Sequence, residues 1–153
     1  MKITETDGFA LYLNQQVQSH TVFDFLLTKI QRADKIIINS FAVTEAYVRR
    51  IIRNRNQITD ITLFLDFTIA SRNPRGTLYA AHNVDRLFLT NNHSKFIYAS
   101  GSGKEYLAIM SNNATNNHRY ESGIILSNSI VIAEFLCKIS EMETNCVLYG
   151  NNR

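Results

Sequence analysis

The sequence predicts a single α/β domain over residues 1–153, with a mixed β-sheet flanked by helices. Three observations carry that expectation. A chain of 153 residues with 45% hydrophobic and 19% charged residues can bury a real core and is not of the disordered class. Segments of strand and helix periodicity alternate along the chain, and three strand-like segments then follow one another directly. Finally, Lys35–Asn39 holds three consecutive isoleucines. A β-branched run this short and continuous reads as a strand buried on both faces, as in a sheet covered by helices.

Each element has its own signal. Phe9–Leu13 is a short apolar-aromatic run and the first candidate strand. From Thr21 to Arg32, Val22, Phe23, Phe25, Leu26, Leu27 and Ile30 recur at helical spacing, with Ser19 or Thr21 as the cap. Thr44–Arg53 reads as a second helix, and Ile58–Phe67 as a strand. The only proline, Pro74, interrupts regular structure, and a short helix over Leu78–His82 follows. Val84–Leu89 is another strand. Ser100 to Lys104 is a hairpin turn; it lacks the spacing of a phosphate-binding loop, with Tyr98 at the first glycine position and Glu105 after the lysine. Ser122–Leu126 is a strand, Ser129–Met142 a helix burying Ile130, Ala133, Phe135, Leu136 and Ile139, and Val147–Tyr149 an edge strand.

Sixteen Lys and Arg against thirteen Asp and Glu leave a net charge of +3, which permits an anionic partner without requiring one. Arg49, Arg50, Arg53 and Arg55 cluster at and beyond a helix C-terminus, where cations complement the dipole. That reading is preferred there to a nucleic-acid patch. Two cysteines form neither a disulfide framework nor a zinc site, and Cys137 is expected on a buried helix face. No run reaches the ~18 apolar residues of a membrane span and no signal peptide is evident, so a cytoplasmic protein is expected.

Chemistry concentrates between His93 and Glu121. His93 and Lys95 lie two apart at the start of a strand, so they project to one side; Ser111 and Asn113 do the same at the end of the next. A histidine, a fixed cation and neutral hydrogen-bonding groups on adjacent strands suit a phosphate. His20, His82 and His118 show no metal-ligand spacing and are read as surface residues.

The order His-x-Lys, then Ser-x-Asn-x-Thr, then a Glu opening an apolar strand resembles the phospholipase D superfamily, in particular its short single-motif, endonuclease-like branch. The resemblance extends over about residues 9–136. The sequence departs from the family pattern at Ser100, where the motif has Asp, at Met110, where Gly is usual, and at Arg119, where Asn is common. The resemblance implies a phospholipase D-like fold and metal-independent hydrolysis of a phosphodiester, with no cofactor. His93 would attack phosphorus to form a phosphohistidine that water then hydrolyses. Lys95 and Asn113, with Ser111 in a lesser role, would hold the phosphate oxygens. Glu121 would take a hydrogen bond from the second ring nitrogen of His93 and fix its tautomer.

One histidine cannot be both nucleophile and leaving-group acid, so a homodimer pairing two copies of His93 across a two-fold axis is expected. The first functional reading is a nuclease acting on nucleic acid, DNA in the first instance, with the basic cluster Arg49 to Arg55 and the loop Arg72 to Arg75, next to Ser71, lining a groove that follows backbone phosphates. A second is a nucleic-acid or partner-binding module that has kept the fold and lost the chemistry with the motif Asp. A third is a phospholipid-directed phosphodiesterase, which should present an amphipathic helix or an exposed aromatic patch, and neither is evident.

Overall fold

The computed structural model describes residues 3–116 and 118–150. Among them run, in order, β1 (Thr4–Thr6), β2 (Phe9–Asn14), α1 (Ser19–Ile30), β3 (Ala33–Asn39), α2 (Glu45–Arg53), β4 (Ile58–Asp66), α3 (Phe67–Arg72), α4 (Pro74–Asn83), β5 (Arg86–Thr90), β6 (Phe96–Gly101), β7 (Lys104–Met110), β8 (Glu121–Leu126), α5 (Ser129–Glu143) and β9 (Val147–Leu148). The strands form one mixed sheet in the order β1-β2-β8-β7-β6-β3-β4-β5-β9. Its centre, β3-β4-β5, is parallel, because helices return the chain each time; the other pairings are antiparallel.

Alternation of side chains along β3 accounts for the isoleucine run. Ile36 and Ile38 pack with Val22, Phe23 and Leu26 of α1 and with Val48 and Ile51 of α2. Ile37 points to the opposite face and joins Phe64, Phe88 and Tyr98 beneath Ile132 and Ile139 of α5. Buried on both faces, the run forms the middle of the domain.

Two expectations require correction. Regular structure is interrupted at Asn73, as expected, but a helix also precedes the interruption, and the one that follows starts at Pro74, ahead of Leu78. Asp66 caps α3 and Asn73 caps α4, with Pro74 in the first turn, where its missing N–H removes no helical hydrogen bond. Helix α5 is also rotated from its expected phase. Ile130 is 81% exposed, Ala133 and Cys137 are exposed, and Ile132 and Ile139 are the buried pair. Apolar residues surround the first turns of this helix, so periodicity cannot select a face. Packing does: the Phe135 ring meets Phe96 edge-on, with centroids 5.1 Å apart.

Helix α5 does not cover its whole side of the sheet. Leu11 faces Ile124, which faces Ile109, across β2, β8 and β7. With Phe9 and Leu13 they form an apolar sheet face whose residues are 37% to 71% exposed.

Candidate active site

The parallel strands β3, β4 and β5 end on the edge of the sheet where β6 and β8 begin and β7 ends, so the loops that follow converge there. His93 and Lys95 lie in the loop between β5 and β6, just before the regular strand. That loop is pinned on both sides of His93. The Asn92 backbone N–H donates to Asp66 Oδ2 at 3.0 Å. The Asn92 and Asn39 amides exchange hydrogen bonds of 2.8 and 3.1 Å. Asn39 also donates to Ser94 O and Oγ, at 3.0 and 2.6 Å. With Asn92 buried and Ser94 tied to Asn39, His93 is exposed, its ring against that of Phe41 at 5.6 Å between centroids.

Lys95 folds back onto His93. Its Nζ lies 3.2 Å from His93 Nδ1 and donates to the His93 carbonyl at 2.6 Å. Its own carbonyl accepts from Met110 N–H at 3.0 Å, which ties the loop to β7. The two side chains thus meet as expected, but through a folded-back lysine and not through the register of a strand.

Beyond β7, Ser111 donates its hydroxyl to Glu121 Oε2 and accepts from Ser122 N–H at 3.0 Å. Glu121 is buried at the first position of β8. Ser40 Oγ lies 3.5 Å from Asn113 Oδ1 and accepts from Ala114 N–H at 2.8 Å, which holds Asn113 on the same edge. Burial lowers the pKa of Lys95 below the usual lysine value, and the Glu121 carboxylate opposes that shift in part. Glu121 and Lys95 therefore share one electrostatic environment. Glu121 Oε2 accepts a hydrogen bond from Ser111, and Lys95 Nζ lies beside His93 Nδ1.

The remaining positions are dispersed. Ser71 Oγ donates to Thr68 O at 2.9 Å and is occupied within its own helix. Arg72, in the last turn of α3, lies within electrostatic reach of Asp66; Arg75 is exposed in the first turn of α4. Neither forms an ion pair among the described residues. Arg49, Arg50 and Arg55 pair with Glu45, Asp24 and Asp85. Ser100 sits opposite Lys35 and Glu105, at the hairpin end of β6 and far from Lys95. Among the described residues, no three His, Cys, Asp or Glu side chains converge as a metal site.

Sequence reading missed the supporting residues. Asn39, Asp66, Asn92 and Ser40 were legible only as polar positions closing apolar strands. Asp66 accepts from Asn92 N–H, Thr68 N–H and the Thr68 hydroxyl. Burial works against its charge, but these hydrogen bonds keep its pKa below the ordinary carboxylate value.

No protein-family model matches the sequence, and no curated protein matches it. Solved structures do. NucT from Helicobacter pylori superposes with a TM-score of 0.71 at 15% identity, covering 91% of this chain and 97% of that one. Nuc from Salmonella typhimurium, a phospholipase D family member, gives 0.67 at 15% identity, covering 92% and 98%. The fold is phospholipase D-like. The same phospholipase D-like fold matches TrmBL2, an archaeal chromatin protein with a novel mode of DNA binding, at a TM-score of 0.65 and 10% identity over 94% of this chain and 54% of that one.

Proposed function

We propose that this chain is a metal-independent phosphodiesterase, a nuclease acting on DNA, working through a phosphohistidine at a site shared by a homodimer. The observation that carries the reading is the contact between His93 Nδ1 and Lys95 Nζ at 3.2 Å, on a sheet edge that also holds Asn113 and Glu121. A phosphate entering the edge draws Lys95 Nζ onto its non-bridging oxygens, where Asn113 also donates. With Lys95 withdrawn, Nδ1 no longer accepts from the ammonium; the ring proton passes by way of solvent from Nε2 to Nδ1, where Glu121 accepts its hydrogen bond, and the freed Nε2 lone pair attacks phosphorus. The P–O bond breaks, and the alkoxide takes a proton from the partner copy's imidazolium. That imidazole, now neutral, removes a proton from water. The resulting hydroxide displaces His93 from phosphorus, which restores both rings.

The exposed apolar face of β2, β8 and β7 supports the dimer. It ends beside the site, since Glu121 opens β8 and Ser111 follows β7. Contiguous exposed apolar surface larger than a few hundred Å² marks interaction sites in soluble proteins. Arg72 and Arg75, exposed at the junction of α3 and α4, supply cations for backbone phosphates. Two unpaired thiols, one of them exposed, suit the reducing cytoplasm. No described helix is long and apolar enough to cross a membrane. The binding-module alternative rests on Ser100 in place of the motif Asp and on the fold shared with a DNA-binding chromatin protein.

The deciding experiment is a cleavage assay with EDTA present, on single- and double-stranded DNA, RNA and bis(p-nitrophenyl) phosphate, with His93→Ala alongside. The reading requires turnover that EDTA spares and His93→Ala abolishes. Turnover restored only by added Mg²⁺ or Zn²⁺ overturns the phosphohistidine scheme. DNA binding without turnover makes the chain a binding module.

A further inference from the structure

Two large rings stand in solvent on the edge that bears His93. Tyr120, just before β8, is 71% exposed, and Phe67, at the first position of α3 directly after β4, is 45% exposed. Neither serves the core. Both are anchored beside the site. Tyr120 adjoins Glu121, and Phe67 adjoins Asp66, whose carboxylate holds the loop of His93 through Asn92.

The strand order sets their spacing. From Tyr120 to Phe67 the edge runs β8-β7-β6-β3-β4, with His93 and Lys95 leading into the middle strand. At about 4.8 Å between neighbouring strands, four intervals place the strand ends that carry the rings roughly 19 Å apart, with the strand of the reactive pair midway. Between them the edge is polar, carrying Glu121, Ser111, Asn113, Lys95 and His93, and the half-buried Phe41 ring is taken up by His93. A lipid chain would need this path to be apolar throughout. A polymer with an anionic backbone and flat apolar groups at intervals matches it: phosphates over the middle, bases against the ends.

We propose that Tyr120 and Phe67 are base-stacking platforms on either side of the reactive centre, and that they commit the site to single-stranded nucleic acid. This rests on the phosphodiesterase reading only for the position of the scissile phosphate; the stacking is a property of binding. In a duplex each base already stacks on its neighbours and pairs inward, so its face is closed to a protein ring. A single strand presents that face to either side chain.

The test is fluorescence anisotropy with a labelled 12-nucleotide single strand and the blunt duplex of the same sequence, for wild type, Phe67→Ala, Tyr120→Ala and the conservative Phe67→Tyr and Tyr120→Phe. Thermal unfolding of each variant confirms that it is folded. The wild type should bind the single strand more tightly than the duplex. Each alanine variant should weaken single-strand binding about 10-fold, leave duplex binding unchanged, and be rescued by its aromatic counterpart. Equal losses on both nucleic acids, or no loss on the single strand, overturn the proposal. Wild-type turnover of bis(p-nitrophenyl) phosphate without single-strand preference removes the stacking and leaves the phosphodiesterase. Ring-dependent single-strand binding with no turnover on any substrate does the reverse.

Discussion

Tyr12 and Asn112, 100 residues apart in sequence, are joined by a buried hydrogen bond from the tyrosine hydroxyl to Asn112 Oδ1. Asn112 also donates to Val17 O at 3.0 Å. The residue between Ser111 and Asn113 is therefore tied to β2 and to the chain leaving it, which fixes where its two neighbours stand. Burial raises the pKa of the Tyr12 phenol far above its ordinary value, and the Glu121 charge adds to the shift, so the hydroxyl remains a donor. The ring lies over Gly123, where an added Cβ would come within 2.6 Å of it. Tyr12→Phe should keep the fold, cost about 1–3 kcal/mol in chemical denaturation by leaving Asn112 Oδ1 without its donor, and lower kcat more than it raises KM. An unchanged kcat would separate this bond from the site.

Substitution should be costly at Glu121 and tolerated at Ser100. Glu121→Gln removes the carboxylate and keeps the shape, and turnover should fall at least ~100-fold, since loss of an orienting carboxylate in a serine-protease triad costs ~10⁴. Ser100→Asp changes a residue at the far end of β6 and should alter turnover less than ~10-fold. The reverse ranking, with Ser100→Asp activating a silent protein, would make the natural chain the binding module.

The alkaline limb of the pH–rate profile should belong to Lys95. Its pKa is lowered by burial, so the ammonium loses its proton at a lower pH than an ordinary lysine. Phosphate binding needs the charged form, and activity should decline before pH 10.5, the usual lysine value. Lys95→Arg, which remains charged, should move that decline upward while lowering the maximal rate. A limb that stays in place would assign it to another group.

The exposed apolar face predicts its own test. Light scattering coupled to size exclusion should give twice the chain mass at micromolar concentration, and Ile124→Lys, in the middle of that face, should give the single-chain mass with turnover lost. A wild-type chain that is monomeric and still turns over would end the shared-site reading.

Replacing Arg72 and Arg75 together with Ala should weaken DNA binding and shrink the slope of log K against log salt by about 2, one unit for each lost phosphate contact. An unchanged slope would make them ordinary surface residues.

Strand and helix identity was legible wherever local periodicity decides it. The isoleucine run of β3 is apolar on both faces because both are covered, and Thr44 caps α2 by accepting from Tyr47 N–H, as a short side chain before a helix does. The order His93, Lys95, Ser111, Asn113, Glu121 was legible too, because residue types and spacing are properties of the chain alone. Tertiary structure decided what spacing cannot carry. It chose the buried face of α5 through the contact between Phe135 and Phe96. It brought Asp66, Asn39 and Asn92 together around the loop of His93, since each closes a different strand and only the sheet order makes them neighbours. It also left the face of β2, β8 and β7 uncovered, because one helix of 15 residues cannot span a nine-stranded sheet. Hydrogen bonds and packing between segments distant in sequence depend on where strands pair, and pairing is a property of the folded chain.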